Sequence, residues 1–369
     1  MAGPVTTARG CDTPDMIGKG SSDCHCLLRE PRLDAPHPHT NDRRIGVLLA
    51  QLGTPDAPTP AALRRYLREF LGDPRVVERN RVLWWFILRL LVLPRRPRRS
   101  AALYQRVWTP AGSPLLVTSR AQARALEADL NRQDPGRFKV ALGMRYGSPS
   151  IASAVQELRE WRADRLLLFP MYPQYAGPTT ASTYDEVFRQ LAMLRFVPSL
   201  RVVPPYYDHP AYVEALAESV REAMTSRPRP PEKVVISFHG IPQAFVDSGD
   251  PYASHCEATA RSLAARAGWK EGSYVMAYQS RAGREPWLLP NTDDTFVELA
   301  QAGLRHIMVI CPGFVTDCLE TIDEIGYVGL QQFQAAGGET LQLVPCLNDR
   351  PPWIAAMTRI VLEQLQGWQ

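Results

Sequence analysis

The chain has 369 residues, 45% of them apolar and 22% charged, which is enough for two domains of ordinary size with buried cores. This composition excludes collagen-like, largely disordered and disulfide-scaffold proteins. The formal net charge of +4 is too small to indicate a nucleic-acid partner. Seven cysteines in no regular framework, together with the lack of a secretory signal at the start of the sequence, predict free thiols and a cytoplasmic location.

The first 43 residues show no apolar periodicity and are broken repeatedly by glycine and proline. A segment of this kind buries too little apolar surface to offset the entropy of ordering it. We therefore expect a disordered N-terminal extension over residues 1–43.

Short apolar runs alternate with amphipathic stretches from Ile45 onwards. The first four runs are residues 45–52, 138–144, 165–171 and 200–206, and the second four are residues 233–239, 273–279, 306–312 and 340–345. Runs of nearly continuous valine, isoleucine and leucine are typical of parallel strands that helices cover on both faces. Eight such strands would also suit a barrel, but their uneven spacing and the long interruption at residues 72–112 favour an α/β fold with two open, doubly wound sheets.

Two similar α/β lobes account for these runs. The pattern predicts an N-terminal lobe over residues 44–205, a C-terminal lobe over residues 206–345, and a C-terminal helix over residues 346–369 that packs back across the lobes. In open α/β sheets, ligands bind outside the carboxyl ends of the strands. The residues that follow each apolar run are therefore the candidates for chemistry.

The longest apolar run, residues 82–93, interrupts the first lobe within a basic stretch. Six arginines and no acidic residue lie between residues 81 and 99. The run is shorter than the roughly 20 apolar residues that cross a bilayer. Trp84, Trp85 and Phe86 with flanking arginines fit a segment at a membrane surface, where the arginines face anionic lipid. A core helix with a solvated basic end fits the same pattern.

His239 ends the fifth apolar run, and Gly240 and Pro242 turn the backbone directly after it. A side chain at this end of a strand projects into the ligand crevice. A neutral imidazole accepts a proton or binds a divalent metal near neutral pH. His239 is therefore a candidate catalytic residue, although a histidine that only hydrogen-bonds a loop carbonyl gives the same pattern.

Three carboxylates follow the seventh run at helical spacing. Asp317, Glu320 and Glu324 are related by i, i+3 and i+7, which places them on one stripe of an α-helix. The first two also form the pattern of a capping box, which is a purely structural role. Like charges on one stripe repel unless a metal ion or transferred protons balance them. The stripe therefore predicts a route for protons or metal, with capping as the alternative.

Seven longer motifs occur in order along the chain. They are LLAQLGTPDAPTPAALRRYLREFLGDPRVVE, YQRVWTPAGSPLL, ALGMRYGSPSI, LFPMYPQYAGPTTAST, SFHGIP followed by GDPY, YQSRAGREPWLLPNT, and CPGFVTDCLETIDEI. Together they resemble the ferrochelatase family in its proteobacterial form, from about residue 44 to residue 365. Members of this family insert ferrous iron into a porphyrin in the last step of haem synthesis.

The resemblance implies two chelatase-like lobes, each with a four-stranded parallel sheet, and a porphyrin bound in the cleft between them. It assigns the family's active-site histidine to His239 and its essential glutamate to Glu320, as catalytic residues and metal ligands. Asp317 and Glu324 then form a relay for protons or metal. The family often has a further carboxylate where this chain has Val328, so the acidic relay is expected to be shorter here.

A porphyrin substrate also suggests which residues bind it. Tyr146, Tyr175 and Trp287 are candidates to stack on or bracket the flat macrocycle. Arg145 is the candidate partner of a propionate. The basic stretch at residues 81–99 becomes a lip of the cleft that touches the inner face of the cytoplasmic membrane, as a peripheral contact.

Ferrous iron is a substrate on this interpretation, and no resident cofactor is expected. Some family members hold an iron–sulfur cluster through a group of cysteines, commonly near the C-terminus. This chain has no cysteine after Cys346 and no set of four close in sequence, so we expect no cluster. A monomer and a homodimer both remain compatible with the sequence.

Protoporphyrin IX, which would give protohaem with release of two protons, is the expected substrate. The alternatives are a coproporphyrin ferrochelatase, a cobaltochelatase of the same fold, and a tetrapyrrole or haem carrier without chemistry. A carrier has no need of a histidine and a glutamate directed at the ring centre. A more carboxylated tetrapyrrole calls for several basic residues in the cleft, whereas the motifs supply mainly Arg145.

Overall fold

The computed structural model describes residues 43–226, 229–283 and 285–368. The predicted N-terminal extension therefore lies outside the described residues, apart from Arg43. Within the described part, the chain forms two four-stranded parallel sheets. The predicted α/β fold with two doubly wound sheets is confirmed.

The two sheets share one topology. The first contains β1 (Ile45–Thr54), β2 (Phe138–Gly147), β3 (Arg165–Pro170) and β4 (Ser199–Val202), in the order β2-β1-β3-β4. The second contains β5 (Lys233–His239), β6 (Tyr274–Gln279), β7 (His306–Ile310) and β8 (Thr340–Leu343), in the order β6-β5-β7-β8. The carboxyl ends of each set of strands therefore lie at one edge of their sheet.

Helices connect and cover the strands. The α-helices are α1 (Pro60–Phe70), α2 (Arg81–Ile87), α3 (Leu93–Val107), α4 (Pro114–Gln133), α5 (Ile151–Glu160), α6 (Ser182–Leu191), α7 (Pro210–Thr225), α8 (Gln243–Asp247), α9 (Tyr252–Ala267), α10 (Thr292–Gln301), α11 (Leu330–Ala335) and α12 (Pro351–Gln364). Three π-helical segments, Leu88–Val92, Gly177–Ala181 and Glu320–Gly329, continue directly into α-helices.

Local sequence explains where several helices begin and end. The Thr59 hydroxyl accepts a backbone hydrogen bond of 3.4 Å at the start of α1, and Pro60 takes the first helical position. The Asn291 side chain caps α10 with a bond of 3.1 Å. Gly268 ends α9 in the left-handed conformation, with a φ of 70°.

The central strands of each sheet are buried on both faces. Val47 and Leu49 of β1 belong to a core cluster that also contains Val234 of β5, so this core extends from one sheet to the other. Leu48 and Ala50, the alternate residues of β1, pack instead in a second cluster with α5 and α6. All four β1 side chains are inaccessible to solvent. This double burial explains why the strand sequences are almost continuously apolar.

The helix α12 packs against both α4 and α7. Its Trp353 is fully buried, with ring centroids 6.0 Å from Tyr206 and 5.9 Å from Tyr212. Gln122 of α4 donates hydrogen bonds to the backbone oxygens of Val315 (3.3 Å) and Asn348 (2.8 Å). These contacts join the first sheet and its helices to the loops that follow β7 and β8.

A continuous helical stretch runs from α2 through Leu88–Val92 into α3. We call its residues 81–99 the lip. No residue of α2 is buried. The exposed large apolar side chains of the lip are Val82 (69%), Leu83 (61%), Trp85 (47%), Phe86 (50%), Leu90 (64%) and Leu91 (54%). No helix among the described residues is both long enough and apolar enough to pass through a membrane.

Candidate active site

Three elements bring the predicted site residues to one edge of the second sheet. His239 is the last residue of β5 and is paired in register with Gln279, the last residue of β6. Glu320 follows β7, which lies on the other side of β5. The central position of β5 therefore puts His239 between the end of β6 and the segment that carries Glu320.

The His239 ring is half-buried and oriented by its neighbour. Its Nδ1 lies 2.6 Å from the backbone oxygen of Gly240. A carbonyl oxygen only accepts, so Nδ1 carries the proton and Nε2 keeps its lone pair. The Tyr252 hydroxyl donates a 2.8 Å hydrogen bond to the His239 backbone oxygen and fixes the strand end.

The turn after His239 requires a glycine. A Cβ on Gly240 would lie 2.9 Å from the backbone oxygen of Gln279 and 3.1 Å from the Trp287 ring. The absence of a side chain lets Trp287 pack directly on this turn. Trp287 is half-buried, so part of its ring faces solvent beside His239.

Glu320 is held by its backbone. Its carbonyl accepts a 2.9 Å hydrogen bond from Nε2 of Gln279, a buried side chain. The Gln279 Oε1 in turn accepts from the Ser237 hydroxyl at 2.9 Å. The segment begins after Leu319 without a side-chain cap, so the structure does not support the capping-box alternative.

The predicted α-helical stripe is wrong. Glu320–Gly329 is π-helical, with i→i+5 rather than i→i+4 hydrogen bonding, and Asp317 lies before it. The Asp317 carboxylate accepts hydrogen bonds from Thr321 Oγ1 (3.1 Å), Asn348 Nδ2 (2.7 Å) and the backbone N–H of Cys346 (3.3 Å). These contacts make Asp317 an anchor for the loop after β8.

Glu324 remains beside Glu320 in the π-helical segment. The Ser280 hydroxyl lies 2.9 Å and 2.7 Å from its two carboxylate oxygens. Ser280 adopts a φ of 67°, a left-handed conformation that few serine residues take. Burial raises the pKa of Glu324 to about 7; the Ser280 bond opposes this rise, whereas the charges of Glu320 and Asp293 add to it.

Two tyrosines lie near these carboxylates, one on α1 and one on α3, which we call the lip helix because it continues the lip. Burial raises the pKa of Tyr104 on α3 well above its ordinary value, and the neighbouring charge of Glu320 adds to the rise. Burial also raises the pKa of Tyr66 on α1, with smaller contributions from Tyr104 and Glu320, and the Tyr66 hydroxyl donates to the Gly53 backbone oxygen at 3.3 Å. The Glu320 carboxylate therefore lies within electrostatic reach of both phenols.

Arg145 and Tyr146 do not occupy the positions predicted for them. The Arg145 Nε donates to the Ser182 backbone oxygen (2.9 Å) and hydroxyl (2.8 Å), and its Nη2 is paired with Asp73. Tyr146 is only 1% exposed, and its hydroxyl donates to Asp73 at 2.8 Å. Burial opposes ionisation of Asp73, but the hydrogen bonds from Ser182, Tyr146 and the Arg75 backbone N–H outweigh it and lower the pKa of that carboxyl.

The other predicted aromatic residues divide between the cleft and the lip. Tyr175 is half-buried, and its backbone N–H donates to Nδ1 of His255 at 3.2 Å. Trp84 packs inward, and its Nε1 donates to the Leu71 backbone oxygen at 2.7 Å. Trp85 and Phe86 are about half exposed, and the Arg89 guanidinium lies 4.4 Å from the Trp85 ring centroid. The core-helix interpretation therefore holds for Trp84 among these aromatic residues, together with the buried Leu88 and Leu93.

Sequence reasoning missed Ser280, Tyr66, Tyr104 and Arg96. Ser280 directly follows a strand and could have been found by that rule, but the tyrosines lie in helices where core packing explains an aromatic ring equally well. Arg96 on α3 keeps an accessible side chain, yet the surrounding protein and the charge of Arg99 lower its pKa. This combination indicates a cation in a concave surface near Tyr66.

Metal-binding groups are few. No group of three or more histidine, cysteine, aspartate or glutamate side chains in the described ranges is arranged to hold a metal ion. The described cysteines, Cys256, Cys311, Cys318 and Cys346, are free, buried thiols. Burial raises the pKa of each, which makes them poor thiolate ligands near neutral pH.

Two parallel sheets of equal topology, with a histidine and a carboxylate pair at one sheet edge, define the class of two-lobed metal chelatases. The fold matches SirB from Bacillus subtilis with Fe3+ at a TM-score of 0.50 and 14% identity, covering 88% of this chain and 98% of that one. It also matches the sirohydrochlorin chelatase SirB from Bacillus subtilis subspecies spizizenii in complex with cobalt, at a TM-score of 0.51 and 11% identity, with coverages of 88% and 96%. At these identities the likeness extends to the fold alone.

The chain belongs to the ferrochelatase family, whose model matches residues 44–365. It is 50% identical over 335 residues to the ferrochelatase of Thioalkalivibrio sulfidiphilus, covering 91% of this chain and 90% of the relative. It is 49% identical to that of Nitrosococcus oceani, with 89% of each chain covered, and 46% identical to that of Methylobacillus flagellatus, with coverages of 92% and 98%. The protein is therefore a metal chelatase of haem biosynthesis, and its substrates are a porphyrin and ferrous iron.

Proposed function

We propose that this chain inserts ferrous iron into protoporphyrin IX with His239 and Glu320 as the catalytic pair. The observation that carries this proposal is the state of His239. Its Nδ1 is committed to the Gly240 oxygen at 2.6 Å. No described residue hydrogen-bonds to its Nε2, which therefore keeps a lone pair for a pyrrole proton or the metal.

Metal insertion requires that two pyrrole N–H protons leave while the iron sheds its water. A neutral imidazole accepts one proton, and a neighbouring carboxylate accepts the other or binds the iron. Glu324, with a pKa of about 7, takes up and releases protons at working pH, and it lies beside Glu320. We therefore assign Glu324 as the next acceptor of the protons that leave the ring.

The same two residues suit a transient metal. His239 and Glu320 offer one nitrogen and one carboxylate ligand, fewer than the three protein ligands of a typical catalytic zinc site. A metal held by so few protein groups remains partly hydrated and transfers readily to four pyrrole nitrogens. Asp317 is occupied by three hydrogen bonds. It therefore supports this arrangement as an anchor and has no part in the relay.

Arg96 replaces Arg145 as our candidate partner of a porphyrin propionate. Arg145 is already paired with the buried Asp73. Arg96 lies on α3 with an accessible side chain, and partial desolvation together with the charge of Arg99 lowers its pKa. An arginine in a concave, partly desolvated position gains more from a carboxylate partner than one in open solvent.

We also propose that the lip is a peripheral membrane contact. Six exposed apolar side chains and six arginines occupy it. Exposed aromatic and aliphatic groups of this kind enter the headgroup layer, and arginines are attracted to anionic lipid. This position would let a poorly soluble porphyrin pass from the bilayer into the cleft.

No iron–sulfur cluster is part of the proposal. Cys256 lies on α9, whereas Cys311, Cys318 and Cys346 lie near Asp317, so the described thiols do not form a set of four. We expect the purified protein to contain no stoichiometric iron and no acid-labile sulfide. Stoichiometric sulfide would overturn this expectation.

The reaction is tested by anaerobic incubation with ferrous iron and either protoporphyrin or coproporphyrin, followed through the absorption bands of the porphyrin. We expect faster metalation of protoporphyrin. Faster turnover of coproporphyrin would favour the first alternative, and a preference for cobalt and a more carboxylated ring would favour the cobaltochelatase. Binding of porphyrin without metalation would favour the alternative of a tetrapyrrole or haem carrier.

The role of His239 is tested by His239→Ala in the same assay. Its half-buried position at a strand end means that the variant keeps its fold and binds porphyrin, while metalation is lost. His306→Ala is the matched control, because His306 begins β7 at the opposite end of the sheet. Near-normal turnover of His239→Ala would remove this residue from the mechanism.

A further inference from the structure

One guanidinium joins the lip helix to the segment that carries the two glutamates. Arg106 lies in the last turn of α3. Its Nε is 2.8 Å from Oδ1 of Asp323, and its Nη2 donates a 2.8 Å hydrogen bond to Oδ2 of the same carboxylate. Its guanidinium carbon also lies 5.0 Å from the Tyr327 ring centroid. Arg106 therefore contacts the π-helical segment at two positions about one turn apart.

This ion pair differs from the surface pairs of the molecule. The Asp323 side chain is only 6% exposed, and that of Arg106 is 40% exposed. A carboxylate removed from water to this extent needs a charged partner, since an unpaired buried charge is strongly destabilising. The Nη2 hydrogen bond to Oδ2 orients Asp323, and the guanidinium charge also lies against Oδ1, which has no hydrogen-bond partner.

The segment borders an open cavity on this side. A cavity of about 610 Å³ lies there, lined by Arg106, Asp323, Gly326 and Tyr327 among others. π-Helical turns are rare and are often found at functional sites. On the face toward this cavity, the Arg106 contacts with Asp323 and Tyr327 add to the close approach of Gly326 to Leu343.

We propose that Arg106 is a positioning residue for metal insertion. Through its contacts with Asp323 and Tyr327, Arg106 orients Glu320 and Glu324 toward the porphyrin. Because it stands at the end of the lip helix, it also makes the position of those carboxylates depend on the position of the lip. This inference rests on the proposed function, in which Glu320 and Glu324 receive protons or metal.

The test compares Arg106→Gln, Asp323→Asn and the double variant for metalation kcat, porphyrin KM, porphyrin Kd from fluorescence quenching, and melting temperature. We expect each single variant to lose roughly tenfold to hundredfold in kcat, since small misplacements of catalytic groups have effects of this size. Porphyrin Kd should be unchanged. The double variant should be no slower than the worse single variant, because both changes break one contact.

The control is Arg65→Gln, which breaks the exposed Arg65–Asp56 pair of 3.0 Å and should leave kcat unchanged. If Arg106→Gln fails to fold, the test uses Arg106→Lys and Asp323→Asn instead. Arg106→Lys keeps the positive charge, and Asp323→Asn replaces the carboxylate by a neutral group of the same shape. Wild-type kcat in both of them, or losses that add fully in the double variant, would overturn the inference. An inactive wild type would instead count against the proposed function.

Discussion

Glu324 is the site carboxylate whose pKa the fold brings close to neutral pH. Burial raises its pKa from 4.5 to about 7, against the hydrogen bonds from Ser280 and with help from the charges of Glu320 and Asp293. A group whose pKa is higher in the folded state favours folding while it is protonated. Its contribution is complete below about pH 4.5 and is lost as the pH rises to about 7.

We therefore expect Glu324→Gln to become more stable relative to wild type as the pH rises. Glutamine keeps the shape and has no charge to desolvate. The difference in the free energy of unfolding should grow between about pH 4.5 and 7 and then level off, by at most about 3 kcal/mol. Denaturant unfolding of both proteins at a series of pH values measures it. A difference that is constant with pH would show that Glu324 is not desolvated as described.

The catalytic assignment of the two glutamates predicts unequal effects on rate. Glu320→Gln removes a charge and a base at nearly constant shape, so metalation should fall by at least the roughly hundredfold typical of a positioned acid–base group. Glu324→Gln should have a smaller effect, because this residue receives protons only after Glu320 or His239. The measurement is the initial rate of metalation at saturating porphyrin and iron. Melting temperatures of the variants are the control for folding. An unchanged rate for Glu320→Gln contradicts the assignment.

The sequence was more informative about where the candidate proton-carrying residues lie than about the contacts of the candidate substrate-binding residues. The locations of His239 and Glu320 at one edge of the second sheet could be predicted, because polar residues after a buried strand have a recognisable pattern. Arg145 and Tyr146 occupy the same kind of position, yet they form a closed network with Asp73 and Ser182. Sequence does not distinguish the two cases, because the buried partner of Arg145 lies 72 residues away.

At the scale of elements, the strands were predictable and the π-helical segments were not. Burial on both faces makes each central strand a run of apolar residues, whatever its neighbours are. A π-helical turn within a helix changes the spacing only locally, and the i, i+3, i+7 pattern of Asp317, Glu320 and Glu324 still reads as an α-helix. The error at Asp317 follows from this, since the helical turn starts after it.

The lip offers a matched pair of variants for the membrane proposal. The double change of Trp85→Ser and Phe86→Ser removes two exposed rings, so binding to anionic vesicles should weaken while the melting temperature stays the same. Trp84→Ser removes a ring that packs inward and donates to the Leu71 oxygen at 2.7 Å. It should cost about 1–3 kcal/mol of stability and leave vesicle binding of the folded protein nearly unchanged. Unaltered vesicle binding by the double variant would contradict the proposal.

The whole molecule is more unified than its two sheets suggest. Residues of β1 and β5 share one core cluster with α12, and Gln122 ties α4 to the loops after β7 and β8. The sequence predicts two sheets because apolar runs report burial. The sequence does not show that the two sheets share a core, because an apolar run does not reveal which element it packs against.

A shared core predicts that both lobes unfold in one transition. Trp353 is the side chain to test, because it is fully buried on α12 between Tyr206 and Tyr212. Trp353→Ala should cost about 3–5 kcal/mol, as large aromatic truncations in cores do, and should shift a single transition seen equally by far-UV circular dichroism and by calorimetry. Trp85→Ala, at a side chain that is 47% exposed, is the control and should leave the transition in place. Two separated transitions in the Trp353 variant would mean that each lobe keeps a core of its own, and the cleft would then lie between bodies free to move independently.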